Sequence, residues 1–319
     1  MTVAAIAIGR NEGDRLKACL ASLQGQADPV IYVDSGSTDG SVAAAEALGA
    51  HVVALDMDQP FTAARARNAG LARLAELAPE TDLVQFLDGD CALHPNWIAT
   101  ARAALAADPG LAVVCGRRRE KFPDASLWNR LIDAEWDTPV GPARACGGDA
   151  LIRRAALDAV GGYDPAMIAG EEPEMCFRMR QQGWKIARIA AEMTAHDAAM
   201  TRFSQWWTRA RRAGHAYAEG AALHGRATEE RYNMAEVRRA LLWGLALPGV
   251  ILLAALIITP WALVLLALYP AQIVRLMTRG FDGPEAGFLM LAKFPETQGV
   301  LSYWQSRLTG RRRRLIEYK

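Results

Sequence analysis

The first half of the chain alternates short apolar runs with segments whose apolar residues recur at helical spacing. Val3 to Ile8, Val30 to Val33, His51 to Leu55, Leu83 to Leu87 and Leu111 to Cys115 read as strands. Helices are predicted between them over Gly13 to Leu23, Ser41 to Leu48, Thr62 to Leu77 and after Pro95. This alternation predicts a parallel sheet with crossover helices, in which ligands gather beyond the carboxyl ends of the strands. The residues at those ends are Arg10-Asn11-Glu12, Asp34-Ser35-Gly36-Ser37 and Asp88-Gly89-Asp90. From about Leu127 the rhythm loosens, with breaks at Gly147-Gly148 and Gly161-Gly162 and an acidic stretch from Gly170 to Glu174. Glu172 to Gln182 reads as a helix ended by Gly183, and an amphipathic helix rich in Trp and Arg is expected from about Met200 to Leu223.

Ala240 to Val274 carries no charged residue. As one straight helix it would be about 52 Å long at 1.5 Å per residue, whereas one crossing needs about 30 Å. With Pro260 in its middle the segment is predicted to form two short helices, as a membrane hairpin or a bent, partly re-entrant element. The alternative is an apolar hairpin buried in a soluble fold or dimer. Arg238 and Arg239 before the segment, and Arg275 and Arg279 after it, put both flanks on the cytoplasmic side. The expected organisation is an α/β domain over 1–225, a connector over 226–239, a hydrophobic hairpin over 240–278 and a basic amphipathic cytoplasmic tail over 279–319. Within that tail, Val300 to Arg314 is expected as an aromatic and Arg-rich helix suited to an anionic membrane surface.

Composition excludes little beyond disorder: 51% of residues are hydrophobic and 22% charged. A net charge of +1 gives no global attraction to nucleic acid, although Arg311 to Arg314 form a local basic run. The five cysteines show neither disulfide nor zinc spacing, consistent with a reducing compartment. No basic signal-peptide region precedes the first strand, so the N-terminal domain is expected in the cytoplasm.

The strand Leu83 to Leu87 delivers Asp88 and Asp90, separated by one glycine, to the sheet edge. Hard carboxylate oxygens suit Mg2+ or Mn2+ and leave positions open for phosphate oxygens. Alone, Asp-Gly-Asp is as readily a turn. In order and spacing, Gly9-Arg10-Asn11-Glu12, Tyr32 to Gly40, Arg65 to Gly70, the Asp-Gly-Asp strand, Gly161 to Asp164 and Gly170 to Glu174 with Arg178 resemble the family 2 glycosyltransferases of GT-A fold. The resemblance covers roughly residues 1 to 200. It implies an α/β, Rossmann-like nucleotide-diphospho-sugar transferase domain, here followed by the membrane hairpin, and inverting transfer from a nucleoside-diphosphate sugar.

It also implies roles. Arg10, Glu12, Asp34 and Ser35 would line the nucleoside pocket, and Arg67 with Asn68 would support that pocket or the diphosphate. Asp88 would lie toward ribose and metal, Asp90 would ligate the metal, and His196 would complete the metal site. Glu172 would be the general base with Glu171 as its orienting neighbour, or the reverse. Structural readings stand beside these: Asp34 as a turn former, Arg67 as a surface charge, Glu171 and Glu172 as favourable charges at a helix N-terminus, His196 as a structural histidine. Gln205 to Arg209 does not match the Gln-x-x-Arg-Trp element of processive synthases, and Ser35 replaces an aspartate common among relatives.

The expected acceptor is a membrane lipid or lipid-linked saccharide, and the expected location the inner membrane with the catalytic domain facing the cytoplasm. No nucleic-acid partner is expected; a homo-oligomer is left open. Alternatives from other classes are a non-catalytic nucleotide-sugar-binding subunit and a sugar-phosphate nucleotidyltransferase.

Overall fold

The computed structural model describes residues 1–226 and 231–310, which fall into two units, Met1–Thr201 and a second from Arg202 onward. The first is an α/β layer structure. Its elements in order are β1 (Val3–Gly9), α1 (Asp14–Leu23), β2 (Val30–Asp34), α2 (Ser41–Ala47), β3 (His51–Ala54), α3 (Ala63–Leu77), β4 (Leu83–Asp88), β5 (Cys91–Leu93) and α4 (Trp97–Ala107). There follow β6 (Leu111–Glu120), α5 (Leu127–Trp136), β7 (Gly141–Pro142), β8 (Ala150–Arg153), α6 (Arg154–Val160), α7 (Glu171–Gln181) and β9 (Lys185–His196).

The strands order as β3-β2-β1-β4-β8-β6-β9-β5, with β7 on β9. β1 is apolar along its length because helices cover both of its faces. Helix α3 sits so close to it that a Cβ on Gly70 would lie 2.4 Å from Ile6 Cγ2. Thr62 starts α3 by accepting the Arg65 N–H at 3.1 Å.

The sheet is parallel only in part, which corrects the all-parallel expectation. β1, β2, β3 and β4 run parallel, whereas β8 inserts antiparallel between β4 and β6. β6 also continues beyond the expected Cys115 to Glu120, paired to β9 through bulges near Arg117. Its apolar pattern stops where the strand leaves the core, and its backbone pairing does not. Register levels the strand ends: Ile8 lies opposite Asp88, and Gly9 opposite Asp34.

The second unit is helical. It contains α8 (Phe203–His224), α9 (Met234–Leu241) continuing through a π turn (Leu242–Ala246) into α10 (Leu247–Ile257), a 3-10 segment (Pro260–Ala267) leading into α11 (Leu268–Met277), α12 (Gly283–Leu291) and α13 (Lys293–Thr309). The uncharged segment thus forms two helices broken before Pro260, and both are long and apolar enough to cross a membrane. The second returns along the first, with the Tyr269 hydroxyl donating to the Trp243 carbonyl. Helix α13 covers most of the expected Val300–Arg314 helix, and Arg311 to Arg314 lie outside the described residues. Val300 and Tyr303 are buried with Ala218 and Ala240.

Helices α8 and α13 cross through glycines. A Cβ on Gly214 would lie 2.0 Å from the Glu296 carbonyl oxygen, and one on Gly299 2.0 Å from that of Arg211. Backbone cannot yield as a flexible side chain does, so Gly214→Ala is expected to destabilise this unit by about 1–3 kcal/mol, read as a lowered melting temperature.

Candidate active site

The site lies at the carboxyl ends of β1, β2 and β4, within the first unit. The turns that follow β1 and β2 are tied to each other. Ser35 N–H donates to the Gly9 carbonyl at 3.0 Å, Asn11 N–H to Ser37 Oγ at 2.8 Å, and Thr38 N–H to Asn11 Oδ1 at 2.7 Å. Asn11 holds a positive φ of 56° to do this. Asp34 is buried and builds its own turn, its Oδ2 accepting the N–H groups of Gly36 and Ser37 at 3.0 and 2.9 Å. Tyr32 donates to its other oxygen at 3.1 Å. Ser35 is buried beside it, Glu12 pairs with Arg15 at 2.8 Å, and Arg10 is exposed at the end of β1.

The centre is Arg67, 2% exposed on α3. Its guanidinium reaches Glu171 Oε1 at 2.8 Å, Asp88 Oδ1 at 2.9 Å and Glu172 Oε1 at 3.0 Å. Burial opposes its charge, but these carboxylates hold its pKa well above the ordinary arginine value. Glu171 and Glu172 stand in the first turn of α7, after Gly170 turns the chain through φ 78°. Burial and the charge on Glu171 push the Glu172 carboxyl up to about 7, against the pull of Arg67.

Asn68, next along α3, faces elsewhere. Its amide donates to the Tyr163 carbonyl at 2.7 Å and accepts the Tyr163 N–H at 3.0 Å, clamping the Gly161-Gly162-Tyr163 turn. Arg178 holds the same turn through the Gly162 carbonyl at 2.7 Å.

A second guanidinium, absent from the sequence reading, completes the centre. Arg118 on β6 donates to Asp149 Oδ2 at 2.8 Å and to Asp88 Oδ2 at 3.1 Å, and lies 5.1 Å above the Trp136 ring. Asp149 also accepts the Asp88 N–H at 3.2 Å and the Thr194 hydroxyl at 2.7 Å. Asp88 is thereby gripped by an arginine on each carboxylate oxygen. Polar residues directly after an apolar run were the available signal for Arg118. Asp149 sits just after Gly147-Gly148, and a Cβ on Gly148 would come within 2.7 Å of Asp88 Oδ2 and 3.1 Å of Arg67 Nη2. Gly148→Ala is therefore expected to displace the Asp88–Arg67 pair and weaken nucleotide binding about tenfold, read by calorimetric titration, while the fold persists.

Asp90 and His196 meet on the other side, with Asp90 Oδ1 3.2 Å from His196 Nε2. Pairing of β5 with β9 sets Cys91 opposite His196 and makes this approach. Glu120 Oε2 lies 4.0 Å from His196 Nδ1, and Trp136 packs edge-on against the ring at 4.7 Å. Burial, with the charge of Arg118, pushes the His196 pKa down to about 4, so the imidazole is neutral and keeps a lone pair for a metal. Ligand atoms of Asp90, Cys91 and His196 all lie within 4.8 Å of one another, as do those of Asp88, Cys91 and Asp149. The oxygen and imidazole donors of Asp90 and His196 fit Mn2+ or Mg2+ coordination; a buried protonated thiol does not suit such hard ions.

The glycosyl transferase family 2 model matches residues 6–161. The pre-mycofactocin glycosyltransferase of Mycobacterium tuberculosis is 30% identical over 201 residues, covering 59% of this chain and 41% of that protein. The O-antigen chain rhamnosyltransferase WbaN of Salmonella anatum is 27% identical over 185 residues, covering 54% of this chain and 57% of that protein. The chain thus spans roughly half the length of these curated relatives. The mannosyltransferase PcManGT from Pyrobaculum calidifontis, solved with GDP-Man and Mn2+, superposes with a TM-score of 0.66 at 21% identity over 94% of this chain and 86% of that one. The fold is GT-A, and within it residues 6–161 carry the match to the glycosyl transferase family 2 model.

Proposed function

We propose that this chain transfers a sugar, with inversion, from a nucleoside-diphosphate sugar to an acceptor hydroxyl. The observation that carries this reading is the buried Arg67, which joins Asp88 on the donor side to Glu171 and Glu172 on the other within 3.0 Å. Glu172, with its pKa near 7, is half ionised at neutral pH and suited to take the acceptor proton. The freed oxygen attacks the anomeric carbon as the bond to the diphosphate breaks, and this single displacement inverts the centre. Glu171, fixed by Arg67, orients its neighbour. Asp34 and the turns joined through Asn11 shape the nucleoside end, with Arg10, Glu12 and Ser35 around it, and Asn68 supports the pocket through Tyr163. Asp90 and His196, with Asp88 near, would hold Mg2+ or Mn2+. A divalent ion there would neutralise the departing diphosphate.

Membrane attachment is part of the proposal. The two apolar helices with arginines at both flanks support attachment at the cytoplasmic face of the inner membrane, with a lipid or lipid-linked saccharide as the proposed acceptor. PcManGT, solved with GDP-Man and Mn2+, supports the donor class and the metal.

The test is a melting-temperature panel on detergent-purified protein with UDP, GDP, dTDP and CMP derivatives, with and without Mn2+, followed by transfer assays with the donor that binds. One nucleotide is expected to raise the midpoint in a metal-dependent way. Asp90→Asn is expected to abolish that metal dependence and slow transfer about 10²-fold or more. An unchanged Mn2+ response in the variant would count against the metal assignment.

A further inference from the structure

The second unit holds a surface whose dimensions say more than that it is apolar. From Leu245 to Ile257 and back from Pro260 to Leu268 no charged residue occurs. Near the end of the hairpin Leu256, Ile257, Ile258 and Trp261 are 75–84% exposed. A lipid interior is the occupant that suits such a surface, because flanking arginines lie at its base and none at its end.

The depth of immersion is bounded by the base. A Cβ on Gly244 would lie 2.2 Å from the Lys293 carbonyl oxygen, so the start of α13 packs directly against the hairpin there. Lys293 carries an ion pair with Glu296 at 2.6 Å at that level, and Tyr269 of the returning arm stacks on Phe294. A charged pair does not belong among acyl chains, so immersion begins beyond Gly244. Leu245 to Ile257 extends about 20 Å at α-helical rise, and the 3-10 turn from Pro260 with Leu268 returns about 17 Å. Both arms are well short of the roughly 30 Å of hydrocarbon in a bilayer.

The end of the hairpin is built for that depth. Ile258 and Thr259 N–H groups both donate to the Ala254 carbonyl at 2.9 Å, Pro260 has no N–H, Trp261 N–H donates to Thr259 Oγ1 at 3.4 Å, and Ala262 N–H to the Thr259 carbonyl at 3.0 Å. Every backbone donor around the turn is satisfied without water, which a turn emerging into solvent does not need and a turn within lipid does. The one polar side chain at the turn, Thr259, is itself engaged in this bonding.

We infer that this hairpin is a re-entrant wedge: it enters the bilayer from the cytoplasmic face, turns at Ile258-Thr259-Pro260 among the acyl chains, and returns without emerging on the far side. The inference rests on the membrane attachment proposed above. A depth of about 20 Å carries the turn beyond the midplane, where the Trp261 indole can reach toward the far leaflet's ester region while the backbone stays in hydrocarbon.

The test uses the full chain added to preformed vesicles of phosphatidylcholine and phosphatidylglycerol, with single variants Ile258→Cys and Thr278→Cys and the unsubstituted protein as thiol background. A charged maleimide is supplied either outside or trapped inside. The expected result is flotation of the protein with the vesicles, labelling of Thr278→Cys from outside, and labelling of Ile258→Cys from neither side until detergent is added. A bimane on Ile258→Cys is then quenched more by chain-labelled than by headgroup-labelled nitroxide lipid. Labelling of Ile258→Cys by the trapped reagent means that the hairpin spans, and overturns the inference while leaving membrane attachment standing. Labelling from outside without flotation overturns both; a nucleotide- and Mn2+-dependent melting shift in the same sample would then leave the transferase reading intact.

Discussion

Arg67→Ala is expected to cost about 3–5 kcal/mol of stability and to abolish measurable transfer, because it strands Glu171 and Glu172 and leaves Asp88 with Arg118 alone. Glu171 is 3% exposed, so its charge has no route to water once Arg67 is gone. A lost surface ion pair would cost at most about 1 kcal/mol, and urea unfolding of the variant separates the two cases. Arg67→Lys is the informative companion. It restores one positive charge but not the fork that reaches Asp88 and both glutamates at once, so it should recover much of the stability and little of the activity. Arg67 also holds down the Glu172 pKa. Any residual transfer by Arg67→Lys should therefore rise at higher pH than in the parent, a shift that a purely structural loss would not produce.

The contrast between Arg67 and its neighbours shows what sequence made legible. The buried strands β1 and β4 are plain from their apolar runs, that of β4 broken only by the buried Gln85, and with them the level at which Asp88 and Asp90 emerge. The GT-A fold expected from motif order holds. Whether Arg67 faced solvent or the site was undecidable, because an arginine on an amphipathic helix reads alike in both cases. Its burial depends on Gly148, far along the chain, leaving room beside it. Arg118 and Asp149 are hidden in the sequence for a related reason. The site-facing end of β6 is polar, so hydrophobic periodicity ended the strand early, and the antiparallel insertion of β8 that delivers Asp149 is a non-local pairing that Ala150 to Arg153 does not encode locally. Asn68, adjacent to Arg67 in the same motif, uses its amide on the Tyr163 backbone instead.

Glu172→Gln is expected to lower the transfer rate by about 10²–10⁴-fold, the range ordinarily attached to a general base, while nucleotide binding changes little. Glutamine keeps the size and can still meet Arg67 through its carbonyl oxygen, so the fold should survive, and removal of one of two adjacent carboxylates relieves repulsion with Glu171. The pH profile supplies the sharper discrimination. As the proposed base Glu172 would act only when ionised, and its carboxyl is raised to about 7 by burial and by Glu171. Transfer by the parent should therefore climb as pH rises from about 6 to 8 and level off above, whereas an ordinary glutamate near 4.3 would give a flat profile across that window. In Glu172→Gln the climb should vanish along with the rate. If instead Glu171→Gln removes the climb and Glu172→Gln leaves it, the roles of the two are exchanged. The geometry favours the first assignment: Glu171 is the more buried and the nearer to Arg67, which suits it to orient, while Glu172 is the more accessible to an incoming hydroxyl.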